Sequence, residues 1–303
     1  MRVYTHPACQ QHDPGPGHPE CPARLSAVTN ALGQALPQLQ WLEAPLATRE
    51  QIARVHHRDL IANVLDTVIA TSLRLDPDTA LSPASAQAAL RACGAGIAAV
   101  DAVLGDEAGQ AFCAVRPPGH HATGSTAMGF CLFNNIAVAA AHALAAHSLQ
   151  RVAILDFDVH HGNGTQAIFQ RDPRVLYLSS HQSPLYPDSG LASDTGVGNI
   201  VNAPLPPGSG SQAFRAAWSE QLLPALDRFA PQLLLVSAGF DGHRLDPLAD
   251  LRLEADDYRW LSARIAASAA QSAQGRIVSM LEGGYSLTAL RECSVAHLRG
   301  LGA

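Results

Sequence analysis

The sequence predicts an α/β fold in which a mostly parallel sheet is covered by helices on both faces. Short apolar runs alternate along the chain with segments of helical pattern, which is typical of parallel sheets. Polar residues directly follow several of these runs, where open α/β sheets bind ligands. The chain has 303 residues and contains no linker, low-complexity run or internal repeat. Residues 1–303 are therefore expected to form a single domain.

The elements are expected in the following order. Strands are predicted at 1–5, 111–115, 152–156, 174–180, 232–238 and 276–281. Helices are predicted at about 22–36, 59–73, 83–104, 134–147, 212–229 and 255–273, with two more beginning near 163 and after 285. Because Pro, Gly and Ser are frequent in 181–211, this segment is expected to be irregular.

Composition excludes several classes of function. The formal charge is −6 without a basic run, so a nucleic-acid interface is not expected. No stretch approaches 18 uninterrupted apolar residues and the first residues lack a signal-peptide pattern, which predicts a soluble, cytoplasmic protein without membrane contact. The six cysteines are scattered and contain no C-x-x-C pair, as in reduced enzymes. The absence of lysine excludes Schiff-base catalysis, covalent pyridoxal phosphate and a Walker lysine.

The segment 151–165, RVAILDFDVHHGNGT, carries the strongest chemical signal. Side chains of an extended chain alternate between faces, so Asp156, Asp158 and His160 share one face. Two carboxylates and an imidazole at the end of an apolar strand are costly to bury without a cation. A divalent metal site is the favoured interpretation, and simple capping of the next helix is the alternative.

Three other loops can reach the same place. Asp241 follows the predicted strand 232–238 and completes an Asp-His-Asp set, although alone it could cap a helix. Three protein ligands with an open position are typical of catalytic zinc and make hydrolysis plausible. His120 and His121 follow a rigid Pro-Pro-Gly turn, although adjacent histidines are often solvated. Tyr285 follows two glycines and could donate to an oxyanion, although Gly-Gly-Tyr also occurs in ordinary turns.

Taken together, these motifs resemble the zinc-dependent histone deacetylase superfamily, which includes bacterial histone deacetylase-like amidohydrolases and acetylpolyamine amidohydrolases. The resemblance rests on six ordered motifs: HPECPARL (18–25), RPPGHHA (116–122), GFCLFNN (129–135), DFDVHHGNGT (156–165), SAGFDGHRLDPL (237–248) and LEGGY (281–285). It implies the three-layer arginase/deacetylase fold with an eight-stranded, mostly parallel sheet flanked by helices.

The resemblance also implies roles for individual residues. Asp158, His160 and Asp241 match the zinc ligands, His120 and His121 the tandem histidines, and Tyr285 the phenol that polarises the scissile carbonyl. Asp156 is expected to back His120, and Asn163 to back His121, which makes His121 the expected general base. The residues expected to contact substrate are Gly129, Phe130, Tyr186, Leu248 and Arg24.

The resemblance further implies potassium sites. Asp156 and Ser179, with main-chain oxygens of Asp158 and His160, match one site. The residues that match carbonyl donors to a second site are Phe169, Asp172 and Val175.

Several alternatives remain open. Asn163, where class I enzymes tend to carry Asp, favours a class II-like member. Leu248 at the tunnel rim, where polyamine-specific relatives carry Glu, favours an acyl-lysine peptide or protein, or a small N-acyl amide, as substrate. An acetylpolyamine amidohydrolase, an arginase-like enzyme with two metals and a catalytically silent acyl-ligand binding protein are the other interpretations. An oligomer is possible because 181–211 could form an interface.

Overall fold

The structure is a computed structural model that describes residues 1–303, and its strands form one large sheet and one small hairpin. The ten strands are β1 Arg2–Thr5, β2 Gln40–Glu43, β3 Leu73–Arg74, β4 Ala80–Leu81, β5 Gln110–Cys113, β6 Val152–Asp156, β7 Val175–Gln182, β8 Ile200–Leu205, β9 Leu233–Ala238 and β10 Ile277–Leu281. The large sheet has eight strands in the order β2-β1-β5-β10-β9-β6-β7-β8, and every pairing is parallel. The predicted eight-stranded sheet is therefore confirmed, and it is entirely parallel.

The central strands of the large sheet are formed by continuous apolar runs. Every residue of β6, β7, β9 and β10 is buried. Strands that are covered on both faces show continuous apolar runs instead of alternation, because both sets of side chains leave water. Helices on both faces follow from this pattern.

Helices connect the strands. They are α1 Ala8–Gln11, α2 Ala23–Ala35, α3 Arg49–Ile52, α4 Arg58–Leu65, α5 Ser85–Leu104, α6 Asn135–Ala146, α7 Asn163–Phe169, α8 Ser211–Ala216, α9 Leu223–Phe229, α10 Ala255–Ser272 and α11 Leu287–Leu301. A π-helical segment, Ala217–Leu222, joins α8 to α9. Helix α5 packs against α6, while α11 packs against α10 and α2. Helix α5 is the one helix with the length and hydropathy to cross a membrane, and 67% of its most apolar window is buried inside the protein.

The helix predicted at 59–73 is wrong in its second half. Helix α4 ends at Leu65, and the chain then turns into the antiparallel hairpin of β3 and β4. The residues after Asp66 are Thr67, Val68 and Ile69, and β-branched side chains lose rotamer freedom in a helix. The hairpin brings the turn between β3 and β4 against Gly129.

The prediction of irregular structure at 181–211 is also partly wrong. Strand β7 continues to Gln182, and β8 lies within the segment as an edge strand paired with Tyr177–Gln182. Pro204 interrupts the apolar pattern of β8, and proline is tolerated in edge strands. The second edge strand, β2, was not predicted, because its four residues are mostly exposed and carry no apolar run.

The order of the strands places the predicted functional loops side by side. Strands β5, β10, β9 and β6 are neighbours in the sheet, and they lead into the loops 114–121, 282–286, 239–248 and 157–162 respectively. Parallel strands end at the same edge of the sheet, so these four loops meet there.

Candidate active site

Three metal-competent side chains converge at this edge of the sheet. His160 Nδ1 lies 3.1 Å from Asp158 Oδ1 and 3.1 Å from Asp241 Oδ2. One ligand atom from each residue lies within 4.8 Å of the other two. Strand β6 ends at Asp156, but side chains continue to alternate beyond it, since Phe157 and Val159 belong to the hydrophobic core. The two carboxylates are fully buried.

The chemistry of this cluster fits a divalent cation. Burial, followed by the charge of Asp158, raises the pKa of Asp241 to about 7. Burial lowers the pKa of His160, but its hydrogen bonds to Asp158 and Asp241 outweigh this effect and raise the pKa to about 10. Both shifts show that two buried carboxylates need positive charge beside them. Gly283 packs directly against the cluster, since a Cβ at this position would collide with the oxygens of Asp241 and Asp158.

The tandem histidines have different electrostatic environments. His120 Nδ1 lies 3.0 Å from Asp156 Oδ2, and although burial opposes its charge, Asp156 and Asp158 raise its pKa well above the usual value. His121 Nδ1 lies 2.8 Å from Asn163 Oδ1. Burial, then the charges of His120 and His160, lowers the pKa of His121 well below its usual value. The surroundings therefore favour the charged form of His120 and the neutral form of His121.

The hydrogen bond to Asn163 also sets the tautomer of His121. The amide nitrogen of Asn163 lies 3.4 Å from Met128 Sδ, so its oxygen faces the imidazole and accepts the Nδ1 proton. Nε2 of His121 is then free to accept a proton.

Tyr285 is positioned by its main chain and by its ring. Asp246 Oδ2 accepts hydrogen bonds from the main-chain N–H of Tyr285 at 2.6 Å and of Ser286 at 3.2 Å. The Arg24 guanidinium lies 4.9 Å from the ring centroid. Burial raises the pKa of Tyr285 well above its usual value although Arg24 opposes this shift. The phenol therefore remains a hydrogen-bond donor.

A cavity of about 250 Å³ leads to these groups. Its lining consists of Asp78, His121, Gly129, Phe130, His160, Leu185, Tyr186, Leu248 and Tyr285. Gly129 has a φ of +57°, and a Cβ there would lie 2.5 Å from the His121 ring. The cavity wall at residue 129 can thus lie against the His121 ring only because this residue is glycine.

The comparisons with known proteins agree with this geometry. A family model described as the histone deacetylase domain matches residues 18–301. The chain belongs to the histone deacetylase family. It is accordingly a hydrolase of the deacetylase type.

Individual members of the family are similar over nearly the whole chain. The chain is 42% identical over 293 residues to the histone deacetylase-like amidohydrolase of Pseudomonas aeruginosa, with 94% of this chain and 77% of that protein covered. It is 38% identical over 293 residues to a probable deacetylase of Archaeoglobus fulgidus, with coverages of 94% and 81%. The crystal structure of the HDA15 HD domain matches with a TM-score of 0.94 at 33% identity, covering 99% of this chain and 87% of that one. The predicted arginase/deacetylase fold is confirmed.

The structure places the predicted residues of this family member in three groups. Asp158, His160, Asp241, His120 and His121 lie together, backed by Asp156 and Asn163. Tyr285 lines the same cavity as His121 and His160. Gly129, Phe130, Tyr186 and Leu248 line the cavity as predicted. The remaining group comprises Arg24 and the residues predicted to bind potassium.

Arg24, which was predicted to contact substrate, is not among the residues that line this cavity. Its Nε donates to Gly284 O at 2.6 Å, its Nη2 to Glu282 O at 2.5 Å, and its Nη1 to Glu20 Oε1 at 2.9 Å. All three guanidinium nitrogens therefore bind protein atoms. Arg24 supports the loop that carries Tyr285.

Asp78 was not predicted, although its side chain lines the cavity. It lies in the turn between β3 and β4, and its Oδ1 accepts from Gly129 N at 3.1 Å and Thr79 Oγ1 at 2.8 Å. Burial, then a hydrogen bond with Asp76, raises its pKa. The Asp76-Pro77-Asp78 turn was the available signal, but its approach to the cavity depends on a tertiary contact.

Asp156 and Ser179, which were predicted to bind one potassium ion, lie opposite each other in β6 and β7. Ser179 Oγ is 2.9 Å from His181 Nδ1, and His181 Nε2 is 3.0 Å from Gly190 O. Because Nε2 must donate to that carbonyl, Nδ1 accepts the proton of Ser179. The lone pairs of the Ser179 hydroxyl remain available to a cation.

The second potassium site is not formed as predicted. The main-chain oxygens of Phe169, Asp172 and Val175 surround the side-chain nitrogen of Asn199 at 2.8, 3.0 and 2.8 Å. An amide nitrogen stands where a cation was expected.

A second group of metal-competent side chains lies away from the cavity. His142 Nε2 and His147 Nε2 each lie 2.7 Å from Asp101 Oδ1. Arg54 Nη1 donates to His142 Nδ1 at 2.9 Å, so Nε2 of His142 carries the proton and cannot bind a metal in this state. This group joins α5 to α6 by hydrogen bonds.

Proposed function

We propose that the chain is a zinc-dependent amidohydrolase that removes an acetyl or other short acyl group from an amine, with acyl-lysine in a peptide or protein as the preferred substrate. The observation that supports this proposal most strongly is the convergence of His121, His160 and Tyr285 on one cavity. Asp158, His160 and Asp241 would hold the zinc ion. Zinc with three protein ligands supplies a Lewis acid that activates water and polarises a carbonyl.

His121 is the proposed general base. Its Nδ1–H donates a hydrogen bond to Asn163 Oδ1, and its ring lines the cavity, so its Nε2 can accept a proton from water in the cavity. His120 is unsuited to this role, because its raised pKa favours the protonated form, which cannot accept a proton. Its Nδ1–H donates a hydrogen bond to Asp156, which stabilises that form. Its positive charge instead favours the negative charge that develops in the transition state.

Tyr285 is the proposed donor to the oxyanion. A donor is effective when it is held in place before the reaction, since no reorganisation is then needed. Asp246 holds the main chain of Tyr285 and Arg24 lies over its ring, so two independent contacts orient the phenol. The protonated His121 then returns the proton to the leaving amine.

The cavity wall supports an aliphatic amine as the leaving group. Phe130 packs edge-on against Tyr285 with ring centroids 5.7 Å apart, and Tyr186 packs against His121 at 5.2 Å. Leu185 and Leu248 add apolar surface. This wall suits the methylene chain of acyl-lysine. A structural potassium ion at Asp156 and Ser179 and a location in the cytoplasm are parts of the same proposal.

Hydrolysis of acetylated polyamines is the second candidate, and one observation favours it. Asp78 places a carboxylate in the cavity lining that the sequence did not predict. Such a group could pair with a polyamine ammonium. However, its Oδ1 already accepts two hydrogen bonds, and burial together with a hydrogen bond with Asp76 raises its pKa. Both effects make Asp78 a weak partner for an ammonium.

The test compares kcat/KM for an acetyl-lysine peptide and for acetylspermidine. We expect the peptide to be preferred by about tenfold or more, since an ammonium left unpaired against Leu248 costs at least ~1.4 kcal/mol. Leu248→Glu should raise kcat/KM for acetylspermidine. Leu245→Glu is the matched control, because Leu245 is exposed nearby and does not line the cavity. A wild-type preference for acetylspermidine would favour the second candidate.

A further inference from the structure

The loop between α7 and β7 curls its main-chain oxygens around one point. The oxygens of Phe169, Asp172 and Val175 all face the position occupied by Asn199 Nδ2. Carbonyl dipoles that converge in this way repel one another unless a positive group lies between them. In the family pattern the resemblance assigns that role to a potassium ion.

In this chain the side chain of Asn199 fills the position. Its nitrogen lies 2.8–3.0 Å from all three oxygens, and the residue is only 4% exposed. An ion at the same point would have to displace the amide. The orientation of the amide is defined, because its Oδ1 accepts from Val197 N at 3.2 Å. The flipped amide would place four oxygens together.

The hydrogen-bond inventory is consistent with an amide at this point. An NH₂ group donates two protons, so it cannot bond fully to three acceptors. Two of the three oxygens already accept main-chain N–H groups, since Asp172 N lies 2.9 Å from Phe169 O and Val175 N lies 3.1 Å from Asp172 O. Two amide protons shared among the three oxygens therefore leave none of them without a donor.

No free carboxylate is present to favour a cation there. The side chain of Asp172 forms a bidentate pair with Arg174, at 2.9 Å from Nε and 2.6 Å from Nη2. The charge of Asp172 is thus neutralised on the outer side of the loop.

We propose that the amide of Asn199 replaces the second monovalent cation, so that this chain holds the loop 169–175 without an ion. The residues present do not fit potassium at that point. The Asn199 side chain, which lies just before β8, thus bonds to the loop between α7 and β7. Any dependence of this protein on potassium then comes from Asp156 and Ser179 alone.

Two measurements test the proposal. Crystals of the wild-type protein soaked in rubidium chloride should show no anomalous peak among the oxygens of Phe169, Asp172 and Val175. A peak there would overturn the proposal. This result does not depend on catalysis, so it is separate from the test of the proposed function.

The second measurement is the melting temperature as a function of potassium at constant ionic strength. Asn199→Ala should gain a potassium dependence absent from this site in the wild type, with up to a tenfold gain in the folding equilibrium for each tenfold rise in potassium above its Kd. Asn202→Ala is the matched control. Asn202 is also buried, and its nitrogen bonds to Gln166 Oε1 at 2.8 Å instead of the loop. Equal potassium dependence in the wild type and Asn199→Ala would contradict the proposal, and the rubidium result decides the matter if the variant does not fold.

Discussion

Replacement of Asn163 by Asp should shift the pH dependence of catalysis in a defined direction. Asn163 Oδ1 lies 2.8 Å from His121 Nδ1, so the new charge would be centred roughly 4 Å from the imidazole. Two unit charges at that distance interact by ~4 kcal/mol at an effective dielectric constant of ~20. Since 1.36 kcal/mol corresponds to one pKa unit, ~3 units is the upper limit. Known effects of a single neighbouring charge are about 1–3 units.

The sign follows from the role of His121 as a base. A base must be neutral to act, and burial together with His120 and His160 now keeps its pKa low. A carboxylate at position 163 raises that pKa. As the pH falls, the variant therefore loses activity at a higher pH than the wild type does. We expect the acidic limb of the kcat/KM profile to move up by about 1–3 pH units.

The assay is kcat/KM for an acetyl-lysine peptide from acidic to neutral pH in both proteins. Gln166→Glu is the matched control, because Gln166 Oε1 lies 2.8 Å from His161 Nε2, outside the cavity. It introduces the same charge on the same helix and should shift the limb much less. An acidic limb that does not move in a correctly folded Asn163→Asp protein would refute the assignment of His121 as the base.

Substitutions of two residues test the group that stabilises the oxyanion. Tyr285→Phe should lower kcat/KM by about 10²–10³, the usual effect of removing one such donor, while zinc content and melting temperature stay unchanged; a loss below tenfold would argue against this role. Asp246→Ala removes the acceptor for the main-chain N–H of Tyr285 and Ser286, so kcat should fall by more than KM rises. Asp246→Asn keeps one acceptor oxygen and should restore part of kcat, whereas equal loss in both variants would indicate a merely structural role.

The fold could be predicted where the chain is continuously apolar. Strands β6, β9 and β10 and the helices α5, α6 and α10 follow local patterns and were predicted within a few residues. The edge strands β2 and β8 were missed, because an edge strand is paired on one side and tolerates polar residues and Pro204. The end of α4 was missed because helix propensity is a weak signal near β-branched residues.

The site could be predicted where its residues directly follow strands of the sheet. Asp158, His160 and Asp241 follow two neighbouring strands, so their convergence depends only on the sheet. Asp78 and Asn199 could not be predicted in the same way. Each is positioned by contacts with a loop distant in sequence, Gly129 for Asp78 and 169–175 for Asn199. Asp246 also accepts a hydrogen bond within its own loop, from Leu248 N at 3.1 Å.

The proposal of zinc-dependent hydrolysis is tested most directly by titrating metal into chelator-treated protein. We expect deacetylase activity to rise in proportion to added zinc and to reach its maximum at about one equivalent per chain, the number that a single three-ligand site holds. Asp241→Ala should bind far less zinc and remain inactive, because it removes one of the two carboxylates around His160. Full activity in protein from which zinc has been removed, or in Asp241→Ala, would contradict the proposed function.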